Sequence, residues 1–559
     1  MGPGVTWFDF NGDGWDDLII GTGREGRLSV FRNNTQGTFV PQRAKPLEPI
    51  LDADLTTVLA WHPSPTNSVL LLGLSQYESG ATNGPALRQI SLNTGEVDSS
   101  LLHSTSSTGP IALGDYNGDG EIDAFVGGRV IAGRYPEAAS SSLLRAHGGT
   151  LQYDSKASPI LSRIGMVSGA VFTDLNADGW PELVLACEWG PIRILRNDKG
   201  TFSLWDPPVT QVPRTKGLST PSHLSALTGW WNSVAVGDFD NDGRLDLVIG
   251  NWGRNHARQA FLDQPAEIHF GDTDGSGNLA LLETHFDSGL QQFVPFRDWS
   301  TLSGSFPSFR ERFPDFTRFS TATAASVLAA GLPQMNHSTV ATFDSIQLLN
   351  RGDHFELRPL PIEAQFAPIF GITVGDLNGD GAEDLFLAQN FFGVSSAESR
   401  LDAGFGLVLQ GDGQGNWRAV PEAESGLWLT GEGRGAALSD FDHDGKLDIV
   451  VTQNRGPSRL FHNLSAQSAL RIELVGLNTN LKAIGAQIRA RFRDGSRGPV
   501  HEIHAGSGYW SQDSTSWILG GFQPPESVEI LWPGGIKETV KVPSGTQSIK
   551  PRHPRSTSL

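Results

Sequence analysis

DFDNDGRLDLVIG, residues 238–250, places an oxygen-bearing side chain at every second position of a tight turn and then runs straight into an apolar strand. Asp238, Asp240 and Asp242 take positions 1, 3 and 5. Gly243 takes position 6, where a sharp turn favours a residue without Cβ, and Asp246 closes the loop at position 9. The pattern recurs at Asp9, Asn11, Asp13 and Asp17; at Asp115, Asn117, Asp119 and Asp123; and at Asp174, Asn176, Asp178 and Glu182. It returns again at Asp376, Asn378, Asp380 and Asp384, and at Asp440, Asp442, Asp444 and Asp448. A degenerate copy at Asp272, Asp274 and Ser276 has Ala280 where the closing acid belongs.

Many copies are followed by a second pattern: an apolar strand, a polar turn with Asn or Gly, and an aromatic residue. LSVFRNNTQGTF, IRILRNDKGTF, IQLLNRGDHF and LVLQGDGQGNW are examples, and they read as outer hairpins. Loops starting at 115, 174 and 238 are 59 and 64 residues apart, which sets the unit. The interval from 9 to 115 holds two units, the second a worn copy around residues 55–74. The interval from 238 to 376 also spans about two units and contains a phenylalanine-rich stretch, residues 284–336, which reads as a partly helical insertion. Small antiparallel sheets repeated at this spacing close most economically into a propeller, whereas solenoid repeats are usually shorter. The expectation is all-β: a seven-bladed β-propeller over residues 1–465, eight-bladed if the degenerate loop carries its own blade, then a small β-domain over 466–559.

These loops suit calcium, a hard cation that takes six to eight oxygen ligands. Positions 1, 3, 5 and 9 supply side-chain oxygens, and a main-chain carbonyl at position 7 can add another. In an EF-hand the closing acid comes at position 12, on a helix; here it comes earlier and a strand follows, so a hairpin loop is expected. Twenty of the 61 acidic residues occupy these ligand positions, and carboxylates so crowded repel one another without a counter-charge. About one Ca²⁺ per loop is expected, six in all, stapling the structure rather than regulating it.

The net charge of −19 disfavours nucleic acid and anionic lipid as partners. The single cysteine, Cys187, allows no intrachain disulfide, and bound metal is an alternative staple. No apolar run is long enough for a transmembrane helix, and no signal peptide precedes the first repeat. That beginning reads as an intracellular chain or as a processed form.

With the DxNxDGxxDL loops in view, the chain resembles the FG-GAP/VCBS repeats that form integrin-α-type propellers. Its C-terminal part resembles the ASPIC/UnbV domain through Ile484-Gly485-Ala486, Gly506-Ser507-Gly508-Tyr509 with Ser511-Gln512, and Leu531-Trp532-Pro533-Gly534-Gly535. The resemblance implies a secreted, periplasmic or cell-surface calcium-binding protein and no established reaction.

Other motifs read as structural. His501-Glu502-Ile503-His504 is one residue short of the zincin spacing and reads as surface polar residues. Arg351-Gly352-Asp353 falls on an outer-hairpin turn, Gly506-Ser507-Gly508 is no nucleophile elbow, and Cys187 reads as a core residue. Trp230, Trp231 and Trp252 read first as blade packing. With Arg134, Tyr135 and the insertion they are also candidates for a ligand surface. The function expected is an extracellular binding or adhesion module for a protein or glycan. The alternative is an enzyme of lyase or hydrolase type, with a site in the propeller channel or under the insertion, although no catalytic motif is recognisable.

Overall fold

In all six acidic loops the position-1 acid follows the end of one strand and the position-9 acid opens the next. The register is the same each time. The residue before position 1 pairs with position 9: Phe8 with Asp17, Gly114 with Asp123, Thr173 with Glu182, Gly237 with Asp246, Gly375 with Asp384 and Ser439 with Asp448. Both flanks are strands, so the loops are hairpin connections, as their early closing acid requires. A computed structural model provides these relationships, and it describes residues 2–42, 51–80, 83–211, 222–262, 264–273, 275–305, 309–329, 335–396, 398–521 and 523–556.

The first sheet orders Val5–Phe8, Asp17–Ile20, Ser29–Asn33 and Phe39–Pro41 from the inside out. Six more sheets follow over residues 54–98, 106–153, 166–205, 233–359, 369–420 and 432–461. The first strand of each lies beside the first strand of the next, and Val5–Phe8 also lies beside Glu432–Ser439, which closes the ring. Continuous apolar runs such as LVIG fit this arrangement, because each sheet is covered on both faces by its neighbours. One core joins Val184 and Ile194 to Val234, Leu247 and Leu348, and another joins Leu59 and Leu71 to Ile111 and Val126. The worn unit is the second sheet. Its strands Asp54–Ser64 and Asn67–Ser75 turn tightly between the paired residues Ser64 and Asn67, leaving no room for an acidic loop.

The insertion differs from expectation. The chain leaves the fifth blade after Asp246–Gly250 and returns at Ile346–Asn350, so the excursion starts well before residue 284. It contains a sheet of Gln292–Pro295, Ala280–Asp287, Ala266–Gly271 and Asn336–Val340, with short helices such as Trp299–Ser305. The degenerate loop is the turn between two strands of that sheet. The sheet stays outside the ring and packs through Asn336–Val340 on Glu182–Pro191 and Thr228–Trp230. Asp274 and Phe306 lie outside the described residues.

The C-terminal segment forms two small sheets around one core that includes Ile472, Ile488, Trp517, Ile530 and Trp532. They sit on the acidic-loop face of the ring. Residues 505–514 continue from there into the channel and meet the inner strands. The Leu113 N–H donates to the Ala505 carbonyl at 2.8 Å, Trp510 Nε1 donates to Ser168 at 3.0 Å, and the Gly508 N–H donates to Val234 at 2.9 Å. Leu438 donates to Asp513 at 2.7 Å, and the backbones of Gln512 and Val5 bond at 2.9 Å. The Gln512 amide accepts from the Ala60 N–H at 2.9 Å and donates to its carbonyl at 3.0 Å. The channel, named above as one place for an enzymatic site, is thus filled from this side. His501-Glu502-Ile503-His504 is likewise not a surface feature. Glu502 is buried, bonded to His504 at 2.7 Å, and accepts the Asp174 N–H at 3.1 Å, because the C-terminal domain presses this strand onto the third loop.

Candidate metal centres

The loops share one internal scaffold. The position-1 carboxylate accepts backbone N–H groups of the turn. Asp9 takes Gly12 at 2.7 Å and Gly14 at 2.8 Å, Asp115 takes Gly118 and Gly120 at 2.7 and 2.8 Å, and Asp376 takes Gly379 and Gly381 at 2.7 and 2.9 Å. The position-6 glycine makes this possible: Gly243 has φ +91° and Gly381 +90°, a left-handed conformation that L side chains resist.

The position-9 acid is buried in every loop and ties the hairpin to the next strand. Asp17 accepts from Phe10 and Asn33 at 3.2 and 2.8 Å, Asp246 from Phe239 and Asn350 at 3.0 and 2.7 Å, and Asp384 from Leu377 and Gly411 both at 2.9 Å. Asp123 and Glu182 also receive the amides of Asn117 and Asn176, at 2.7 and 3.1 Å. Among the described residues no cationic side chain forms an ion pair with any of these six acids. Burial pushes Asp123, Asp384, Asp448 and Glu182 up to about 8 and Asp17 up to about 7, and neighbouring loop carboxylates push the same way. Asp246 is also raised well above the carboxylate range, mainly by burial. At position 1, burial raises Asp174 and Asp238 to about 7 and Asp115 and Asp376 to about 6, and it raises Asp9 and Asp440 as well.

Two loops gather donor atoms most closely. Asp238, Asp240 and Asp246 bring one carboxylate oxygen each within 4.8 Å of one another. Asp238 Oδ1 is buried with no hydrogen-bond partner, and so is Asp448 Oδ2 in the sixth loop. Orphaned oxygens among clustered carboxylates fit a hard cation. In the sixth loop Asp442 and Asp444 group instead with His462, while Asp440 turns to Arg471 at 3.1 Å. His462 follows the outer strand Arg459–Phe461, and only the fold brings it to the loop. Arg351, of the Arg-Gly-Asp tripeptide, is held by Asp240 at 2.5 Å, Asp242 at 3.2 Å and Glu356 at 3.0 Å, which makes it a counter-charge for the fourth loop.

Each loop also meets the C-terminal domain. Asp238 Oδ2 accepts the Val500 N–H at 2.9 Å, Asp376 Oδ2 accepts Gly520 at 3.0 Å, and Arg489 donates to the Asn241 carbonyl at 3.0 Å. Thr479 bonds the Gly120 carbonyl at 2.5 Å, Gln487 bonds the Asp174 carbonyl at 3.3 Å, and the Lys482 charge acts on Asp9.

A further set of residues escaped the sequence reading. An asparagine at or just beyond the end of the third strand of a blade donates from one amide to two carbonyls, one in its own loop and one in the preceding blade's loop. Asn197 reaches Pro181 at 3.0 Å and Tyr116 at 2.9 Å, Asn350 reaches Leu245 at 3.1 Å and Leu175 at 2.8 Å, and Asn463 reaches Leu447 at 3.1 Å and Leu377 at 2.8 Å. The signal lay in the outer-hairpin motif, where FRN, LRN, LLN and FHN place Asn after an apolar strand.

Trp231 is fully buried in the core between the fourth and fifth blades. Trp230 packs edge-on to Trp189, Trp252 and Phe343, at 5.0, 5.1 and 5.2 Å, in a cluster that joins the ring to the insertion sheet. Cys187 is buried, as expected.

Residues 9–60 and 174–249 match the FG-GAP-like repeat, and residues 476–558 match the ASPIC and UnbV domain. The chain therefore carries FG-GAP-like repeats, on a propeller-like all-β fold, and a C-terminal ASPIC/UnbV domain. It is similar to cartilage acidic protein 1 of Xenopus tropicalis, at 30% identity over 286 residues, which cover 43% of this chain and 42% of that protein. The chain thus matches less than half the length of that relative. Among solved structures it is remotely similar to the V. cholerae biofilm matrix protein Bap1, with 12% identity, 99% and 96% of the two chains covered and a TM-score of 0.25. It is also remotely similar to an exo-beta-1,3-galactanase from Clostridium thermocellum, with 10% identity, 92% and 95% covered and a TM-score of 0.26. Among the described residues no helix is long and apolar enough to cross a membrane.

Proposed function

We propose that the protein is a calcium-binding β-propeller that acts outside the cell, secreted, periplasmic or surface-held, as a binding or adhesion module for a protein or glycan. The observation that carries the calcium reading is the fourth loop, where Asp238, Asp240 and Asp246 converge and a buried oxygen of Asp238 has no donor. Asp9, Asn11, Asp13 and Asp17 and the equivalent residues of the other loops would hold further ions, about one per loop. Bound calcium would supply the counter-charge that the buried position-9 acids lack. Because the loops form the seat of the C-terminal domain, the ions would staple ring and domain together. The FG-GAP repeats support an extracellular adhesion role. The deciding experiment is a thermal melt with bound-metal analysis, in excess calcium and after EDTA. Several ions per chain and a large fall in Tm on chelation are expected; no bound calcium and no shift would refute the reading.

A further inference from the structure

The insertion closes a cavity that neither the acidic loops nor the C-terminal domain uses. It has a volume of about 380 Å³ and lies between the third and fourth blades and the strand Asn336–Val340. Its distinctive residues are Arg163 and Arg193. The chain has 61 acidic residues against 42 basic ones, yet among the described residues neither guanidinium forms an ion pair. Arg193 Nε is buried without a hydrogen-bond partner. Arg193 instead meets the thiol of Cys187, which burial pushes up to about 11, so the thiol stays neutral and offers no counter-charge. Glu188 also lines the cavity, but its two oxygens are taken by Arg129 and by the Tyr135 hydroxyl, the latter at 2.8 Å. Arg193 is half-buried, and a guanidinium held there without an anion is costly, while the exposed Arg163 at the rim adds a second positive charge. Beside the arginines lie Asn336 and the hydroxyls of Thr228 and Thr339, which pair with each other at 3.3 Å and leave the pair's remaining donor and acceptor capacity for a ligand, and Trp189 and Phe270 give an apolar wall. Those neutral groups match a ligand that carries hydroxyls next to its charge, as a sugar acid does and an acidic peptide does not.

We propose that this cavity binds an acidic saccharide, with its carboxylate or sulfate on Arg163 and Arg193 and its ring hydroxyls on Thr228, Asn336 and Thr339. The assignment deepens the binding-module reading and rests on it. The test uses the full chain in calcium, titrated calorimetrically with galacturonate, galactose 6-sulfate, galactose and a triglutamate peptide. One or both acidic sugars are expected to bind at least about tenfold tighter than galactose, and Arg163→Met and Arg193→Met are each expected to weaken that binding by about tenfold. Which acidic sugar binds better separates a uronate from a sulfated ligand. Arg163 is exposed, so Arg163→Met keeps the test valid should Arg193→Met fold poorly. Equal affinity for galactose and the acidic sugars, unchanged binding in both variants, or preference for triglutamate would overturn the assignment. A separate adhesion assay on glycan and cell surfaces tells the two readings apart. Adhesion to a surface together with acidic-sugar binding that is absent or unchanged in both variants sinks the cavity assignment alone, whereas arginine-dependent sugar binding by a protein that adheres to no surface sinks the adhesion reading alone.

Discussion

Asn33 in the first blade donates its side-chain amide to the Phe441 carbonyl in the last, at 2.7 Å, and to the Asp16 carbonyl in its own loop, at 3.2 Å. One side chain thereby bridges the point where the ring closes, doing what Asn197, Asn350 and Asn463 do between other neighbouring blades. Replacing a buried amide of this kind strands two carbonyls. Asn350→Leu should cost about 1–3 kcal/mol of stability, read from the urea midpoint. Asn33→Leu should cost a similar amount and also speed amide exchange in the first and last blades, whereas a change confined to global stability would argue against a role in closure.

Removing the acids of one loop should remove one ion. Asp238→Asn combined with Asp246→Asn should lower bound calcium by about one per chain without unfolding the protein. Asp353→Asn, on the exposed hairpin turn, should leave the count unchanged. Metal analysis after dialysis reads both, and an unchanged count in the double variant would exclude the fourth loop as a site.

Without metal, the loops should make stability fall as pH rises. Asp123, Asp384 and Asp448 have folded-state pKa values of about 8, above their unfolded values, so the folded state holds protons that the unfolded state gives up first. Their contribution is complete below about pH 4 and is lost as pH climbs to about 8. In EDTA the urea midpoint should therefore drop across that window. Saturating calcium should flatten the curve, because the ion binds the deprotonated form, and calcium affinity itself should rise with pH.

The channel segment can be tested at Gln512, whose amide meets both the N–H and the carbonyl of Ala60. Gln512→Ala leaves those backbone groups buried and unpaired, at a cost of about 2–3 kcal/mol in chemical denaturation. Gln512→Glu keeps the acceptor but sets a buried carboxylate against the Ala60 carbonyl, so at neutral pH it should cost at least as much as Gln512→Ala, with part of the loss recovered as the pH is lowered and the carboxyl takes a proton.

At the opposite end of the channel, Arg434 pairs with Glu432, both almost fully buried, and lies 3.9 Å over the ring of Phe370. Arg434→Leu should destabilise by about 3–5 kcal/mol, because it leaves a buried carboxylate uncompensated. Adding Glu432→Gln should recover part of the loss in the same denaturation assay.

The six acidic loops were legible because a glycine at position 6 and acids at alternate positions leave one workable turn, and the apolar run after position 9 names the strand that follows. Those local rules also marked the worn second blade by its missing acids. They failed where tertiary contact decides. The degenerate loop around Asp272 has blade-like chemistry, yet its sheet sits outside the ring, because it is inserted between two strands of an existing blade. His501 and Glu502 look like strand-surface residues until another domain is laid over them, and His462 reaches Asp442 only through the pairing of outer strands. The bridging asparagines were visible as a recurring letter, but their role depends on which blade lies next door.

Residues 505–514, which touch inner strands around the ring, leave the ribosome after every sheet of that ring. Every blade is made before the segment that occupies their common centre exists, so each carries inner-strand groups that stay solvated or loosely paired throughout synthesis. Commitment to the finished architecture therefore comes as a single late event, and a chain cut short before Gln512 is not a slightly smaller version of the protein but one held open at its axis.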